Sequence, residues 1–275
     1  MSVVSRASLV SRHTARRLTG QGRLPDFLIL GAQKAGTTSL YNYLCQSPDV
    51  APPLRKEVHY FSQFTLPPLS WYKAFFPDHA GRASVTGEAT PFYLFHPDVP
   101  DRIEAAGLHA KFVAILRCPI ERAWSHYRHE KRKGREQLGF ADALRAEGER
   151  LRFTTDRVLD RAHLEALKRQ SYLARGRYMA QISRFQKIAG AEGIHVLSLD
   201  QLQSDPATAV SQCCEYLGIA PPPSGIDYKV YNAGNEKSQM PEVDHQIFRE
   251  AFDSDLEALA TILPEADGWR RRLGP

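Results

Sequence analysis

Residues Asp26 to Gln46 read DFLILGAQKAGTTSLYNYLCQ, and the reading of the fold turns on this stretch. The apolar run Phe27-Leu28-Ile29-Leu30 has the length of a strand and is stopped by Gly31. A loop, Gly31-Ala32-Gln33-Lys34-Ala35-Gly36, leads to the hydroxyls Thr37-Thr38-Ser39, after which Leu40, Tyr43 and Leu44 recur at helical spacing. Strand, glycine loop and hydroxyl-rich helix start together make a cradle for phosphate. Glycines let backbone N–H groups approach an anion, and a helix N-terminus adds its partial positive charge. The spacing is not that of the triphosphate loop G-x-x-x-x-G-K-[ST], whose lysine follows the second glycine directly. Here Thr37 follows Gly36 and the lysine comes earlier, at Lys34, so neither a grip on a γ-phosphate nor Mg²⁺ held by Thr37-Thr38 is implied.

Working outward, a second phosphate signal lies at Lys111 to Tyr127, KFVAILRCPIERAWSHY. The continuous apolar run Phe112 to Leu116 suits a central parallel strand, buried on both faces. Arg117 ends it and Pro119 suits a first helical position. Ligands of open α/β sheets bind beyond the carboxyl ends of strands, where Arg117 falls. By itself Arg117 could be a strand-end ion pair, and Ser125, two turns into the helix, a solvent-facing hydroxyl. Between the two signals, Lys56-Glu57-Val58-His59-Tyr60-Phe61 reads as extended, which puts Glu57 and His59 on one face and Val58 and Tyr60 on the other. A carboxylate and an imidazole downstream of a phosphate loop can do general-base work; otherwise this is an ordinary polar strand.

The loop at 31–39 resembles the 5′-phosphosulfate-binding loop of sulfotransferases that use 3′-phosphoadenosine 5′-phosphosulfate (PAPS), in particular the branch containing the heparan sulfate sulfotransferases and their bacterial relatives. The pattern R-x-P-x-x-R-x-x-S-x-Y at 117–127 resembles the 3′-phosphate motif of the same enzymes. The two occur in the family's order, about eighty residues apart, and as a pair are far more specific than either alone. The resemblance implies that Lys34 and the backbone of Ala35, Gly36, Thr37 and Thr38, with the Thr37, Thr38 and Ser39 hydroxyls, hold the 5′-phosphate, and that Arg117 and Ser125 hold the 3′-phosphate. It makes Glu57 the general base, with His59 its rival, and Lys34 the group that stabilises the leaving phosphate. Arg175-Gly176-Arg177-Tyr178 is similar to a helix start near the nucleotide, and Lys237 falls in a loop that closes over it in relatives, though without their arginine. Gly87-Glu88-Ala89-Thr90-Pro91-Phe92-Tyr93 matches the family's Glu-Lys-Ser/Thr-Pro-x-Tyr segment except that Ala89 replaces a lysine beside the sulfuryl group. Lys34, Lys56 or Arg55 would have to compensate, and Glu88 would contact acceptor or orient the base.

The fold expected is α/β: a P-loop-like central parallel sheet, with strands at 26–30, 111–116 and 194–199, flanked by helices on both faces, in one sulfotransferase domain over 26–275. The first 25 residues carry five arginines and no acid, a composition also seen in transit peptides; the reading adopted is a flexible basic arm. Trp71 to Pro77 reads as a short aromatic helix packed on the sheet, and Pro241 to about Leu263 as a long amphipathic helix. With 43% hydrophobic and 24% charged residues the 275-residue chain has a globular composition. Its net charge of +5 suits polyanionic ligands without the dense basic stripe of a nucleic-acid binder. Cys45, Cys118, Cys213 and Cys214 show no metal spacing and read as reduced, buried residues. No run approaches the ~20 apolar residues of a membrane span. The expected protein is therefore a cytoplasmic, bacterial-type enzyme that uses PAPS without a metal and releases 3′,5′-adenosine bisphosphate (PAP), acting on a small-molecule or glycan acceptor. A P-loop nucleotide kinase and a non-catalytic polyanion binder using the basic run Arg128 to Arg135 are the rival readings. That run is otherwise a solvated helix face, and residues 140–172 are candidate lid elements.

Overall fold

The computed structural model describes residues 6–78, 85–229, 231 and 239–274. In chain order the elements are α1 (Arg6–Thr19), β1 (Phe27–Gly31), α2 (Thr37–Leu44), α3 (Leu69–Lys73), β2 (Gly87–Ala89), α4 (Val99–Ala105), β3 (Lys111–Leu116), α5 (Pro119–Arg132), α6 (Phe140–Arg145), α7 (Glu147–Arg150) and α8 (Arg161–Arg169). After these come α9 (Tyr178–Ala189), β4 (Ile194–Ser198), α10 (Leu199–Ser204), α11 (Pro206–Leu217), α12 (His245–Leu259) and α13 (Glu265–Arg271). The four strands form one parallel sheet in the order β2-β1-β3-β4.

Alternation along the strands divides the core. Leu28, Leu30, Phe112, Ala114 and Leu116 enter one apolar cluster with Ile103 of α4, Ile182 and Phe185 of α9, and Phe248 and Phe252 of α12. Phe27, Ile29, Val113 and Ile115 point the other way, into a cluster with Leu40 and Leu44 of α2 and Val210, Cys213 and Leu217 of α11. Helices therefore cover both faces, as a parallel sheet requires. Local chemistry sets the boundaries. Pro119 opens α5, Ser198 and Gln201 form a reciprocal capping box on α10, the Asp205 side chain caps α11, and Gly218 ends α11 in the left-handed region at φ 73°.

Four features differ from the sequence reading. Strand β2 has three residues, too few to show a period. Lys56 to Phe61 is not a strand; His59 sits at φ 60°, yet the expected division holds, with Val58 and Tyr60 buried and Glu57 and His59 half-exposed. Where a basic arm was expected, Arg6–Thr19 is helical: His13 packs against Phe75 with ring centroids 4.2 Å apart, and Arg16 donates to the Ala74 and Phe75 carbonyls. The long C-terminal helix begins at His245 rather than Pro241, and α3 packs by its aromatics as expected, Tyr72 stacking on Tyr60 at 4.6 Å. The four cysteines are free, three of them buried. Among the described residues no helix is long and apolar enough to cross a membrane.

Candidate active site

All four strands are parallel, so their carboxyl ends lie on one edge of the sheet. In this strand order the β1–β2 crossover runs to one side and the β3–β4 crossover to the other, so the direction reverses between β1 and β3. The crevice at such a switch point is where open α/β sheets bind ligands. The 31–36 loop leaves β1 there, Thr90 follows β2 and Arg117 follows β3. A cavity of about 1040 Å³ occupies this edge, and Lys34, Thr38, Glu57, His59, Arg117 and Ser125 all line it.

The β1 loop is built to present α2 end-on. Lys34 and Gly36 both take positive φ, 72° and 92°. A Cβ on Gly36 would lie 2.8 Å from Leu199 Cδ1, so the position demands glycine on two counts. Gly36 caps α2 without a side-chain acceptor, which leaves the first-turn amides of Thr37, Thr38 and Ser39 with no partner inside the helix. The Ala35 amide, expected among the phosphate donors, is spent within the loop on the Ala32 carbonyl at 3.1 Å, and Ala35 is buried outside the cavity lining. Ser39 lines the cavity, but its hydroxyl accepts from the Tyr231 amide at 3.1 Å and so ties the C-terminal loop to α2.

The electrostatics favour a bound anion. Burial lowers the pKa of Lys34, and Arg132, Arg117 and Lys133 lower it further; Glu130 opposes them only in part. An ammonium pressed by three other cations is a place where bound anion relieves repulsion, so the residues present fit a polyphosphorylated ligand. Arg117 aims Nε and one terminal nitrogen at Glu121 Oε2 (3.0 and 2.9 Å), and Glu121 is shared with Arg272 at 2.6 Å. The guanidinium expected to fork a phosphate is thus held in place by a carboxylate. Ser125 is half-buried on the cavity face of α5. Tyr178, expected near the nucleotide, is fully buried outside the cavity lining and donates its hydroxyl to the Arg117 carbonyl at 2.7 Å, a support for the β3 end.

The 56–61 segment hangs from a single buried carboxylate. Glu88 accepts from Val58 N (2.9 Å) and Thr90 Oγ1 (2.6 Å) at one oxygen and from the Tyr72 and Tyr93 hydroxyls (2.6 and 3.0 Å) at the other. Thr90 in turn accepts from the His59 amide and Tyr93 from the Phe61 amide, each at 3.3 Å. Of the two roles expected of Glu88, its burial rules out contact with an acceptor and leaves that of orienting the 56–61 segment. The result is that Glu57 projects into the cavity with His59 Nε2 3.4 Å from Oε2 and Lys56 Nζ 2.8 Å from Oε1. Burial pushes the Glu57 pKa up, but hydrogen bonds and charge from His59 and Lys56 outweigh it and bring the group down to about 2.

Nine of the expected residues therefore share one cavity: Lys34, Gly36, Thr37, Thr38, Ser39, Glu57, His59, Arg117 and Ser125. Ala35 and Tyr178 stand behind it, and Lys237 lies outside the described residues. Gln33, Phe92, Arg175 and Tyr231 line the cavity without having been singled out. Arg175 is buried, bonds Gln33, and stacks over Phe92 at 4.7 Å. Its signal, an arginine opening the R-G-R-Y helix start, was present but gave no hint of which way it points. The basic run also reaches the site: Arg128, His129, Arg132, Lys133 and Arg135 line the cavity mouth with Lys168 and Arg169 of α8.

Known proteins are similar to this chain in sequence and in fold. A family model described as the sulfotransferase domain matches residues 24–247. The chain is 29% identical to mouse bifunctional heparan sulfate N-deacetylase/N-sulfotransferase 4 over 210 residues, 72% of this chain and 23% of that protein. It is 35% identical to human heparan sulfate glucosamine 3-O-sulfotransferase 6 over 108 residues, 39% of this chain and 31% of that protein. The chain thus spans less than a third of either curated relative. A crystal structure of a sulfotransferase from Alicyclobacillus acidocaldarius superposes with a TM-score of 0.71 at 31% identity, covering 90% of this chain and 100% of that one.

Proposed function

The chain belongs to the sulfotransferase domain family, and from that premise we propose that it moves a sulfuryl group from PAPS to an acceptor hydroxyl, or to an amine. One observation carries the reading: a helix start with its half-buried lysine, an arginine–serine pair, and a carboxylate all open into one cavity. When bound, PAPS supplies the activated sulfuryl group and a phosphate as leaving group. The Thr37, Thr38 and Ser39 amides and Lys34 hold the 5′-phosphate end and oppose the negative charge that builds there. Arg117 and Ser125 grip a 3′-phosphate, which distinguishes this nucleotide from ATP. Glu57 takes the acceptor proton, and His59, 3.4 Å away, orients the carboxylate.

The acceptor class proposed is a glycan, a lipid or a secondary metabolite. Four free cysteines suit the reducing cytoplasm of a bacterial-type host. Calorimetric titration with PAP and with ATP, both without metal, tests the reading. Binding of PAP alone is expected; preference for ATP, or binding only with Mg²⁺, would replace it with the kinase reading.

A further inference from the structure

Ala89 raises a question of charge. It is completely buried, and its methyl group sits in the core cluster with Phe27 and Ile29, so this position brings no cation to the reacting end of the cavity. Its amide donates to the Lys56 carbonyl at 3.1 Å, which holds the Lys56 backbone against residue 89. Arg55 is solvent-exposed and does not line the cavity. Lys56 does not line it either, but its ammonium reaches two residues that do. Its Nζ donates to Thr38 Oγ1 at 2.8 Å and lies 2.8 Å from Glu57 Oε1, bridging the start of α2 and the base.

We propose that Lys56 is a catalytic residue: a second cation that leaves Glu57 for the anion bound at the start of α2, so that nucleotide binding frees the base. The proposal rests on the function proposed above. An ammonium has three N–H donors; Thr38 and Glu57 take two, and a phosphate oxygen arriving beside Thr38 competes for the charge with a stronger field than one carboxylate. With His59 and Lys56 both bound to it, Glu57 is a poor proton acceptor, held at about 2 when a general base works best near the operating pH, and Lys56 is the partner an anion can draw off. Once the ammonium is drawn away, Glu57 Oε1 is open to the acceptor hydroxyl and more basic. The acceptor proton then passes to Glu57, while Lys56 keeps all its protons and makes no covalent bond. The charged groups around Glu57 are Lys56 and His59 of its own segment, with Lys34, Arg117 and the basic end of α5 on the same cavity; Thr38 of α2 is neutral.

The test is a crystal structure of the wild-type chain with PAP, paired with Lys56→Met. The expected result is Lys56 Nζ within hydrogen-bond distance of a 5′-phosphate oxygen and Glu57 Oε1 released. Lys56→Met should bind PAP within about tenfold of wild type yet turn over about 10²-fold more slowly, and Lys56→Ala should regain activity with added ethylammonium. Lys56 still resting on Glu57 in the complex, or a Lys56→Met variant with normal turnover, overturns the inference while leaving the sulfotransferase reading intact. Failure of the wild type to bind PAP overturns both.

Discussion

Glu57 and Glu88 lie 31 positions apart in sequence and are joined by one hydrogen bond, through Val58, yet they face opposite environments. Glu57 is 37% exposed, flanked by an ammonium and an imidazole, and its pKa is driven down to about 2. Glu88 is fully buried, has no cation beside it, and is surrounded by one amide and three hydroxyls; burial raises its pKa against the pull of those donors. A carboxylate paired with mobile charges at a cavity wall is free to exchange partners. One saturated by four neutral donors is not. On the proposed function, the difference separates the residue assigned the chemistry from the one that keeps it in place, and each variant below tests that division.

The largest effect should come from Glu88→Ala. Removing the carboxylate strands the Val58 amide and three hydroxyls in the core, a loss on the order of 3–5 kcal/mol. Urea unfolding should show a much lower midpoint. Should the variant unfold at the wild-type midpoint and yet lose turnover, Glu88 would belong with the chemistry and the division would fail.

Glu57→Gln should do the reverse. The substitution keeps the shape and removes the proton acceptor, so turnover is expected to fall about 10²-fold or more, with PAP affinity and unfolding midpoint near wild type. If His59→Ala shows that loss and Glu57→Gln does not, the base is His59.

Arg117 extends the comparison to the proposed 3′-phosphate site, where a carboxylate again holds a cation. Glu121 binds Arg117 through two nitrogens, as a phosphate would. Arg117→Lys keeps the charge and loses the fork, so PAP affinity should drop about tenfold in calorimetry while ADP, which lacks a 3′-phosphate, is affected less. Equal losses for both nucleotides would move the 3′-phosphate away from Arg117.

Much of this was legible in the sequence because it is local. The apolar runs at 27–30 and 112–116, the glycines of the β1 loop, and Pro119 each specify a conformation through neighbouring residues, and those elements appear within a residue of where they were expected. The Glu57–His59 pairing was also legible, as alternation along a segment that is not a strand. Contacts made across the chain were not. Glu88 reaches Val58 and Tyr72, and Lys56 meets Thr38 at the start of α2, only through packing between segments distant in sequence. Tyr178 shows the other side of that limit: the helix start was readable, but whether its phenol faced ligand or the Arg117 carbonyl depended on packing.

The smallest effect bears most directly on the comparison, because the two glutamates should tilt stability with pH in opposite directions. The Glu57 pKa is depressed on folding, from 4.5 to about 2, so its contribution is present above the ordinary carboxylate value and is lost as pH falls through that window. The Glu88 pKa is raised, so its contribution is full below the ordinary value and is lost as pH climbs through the folded-state value. Urea midpoints from pH 3 to 7 should therefore show the gap between wild type and Glu57→Gln widening from pH 3 to about 5, and the gap between wild type and Glu88→Gln narrowing as pH rises. For Glu57, screening by solvent keeps the change to a few tenths of a kcal/mol, about the size of an exposed ion pair. Parallel slopes for the two variants would mean that the carboxylates share one environment, and the distinction between base and anchor would have no electrostatic basis.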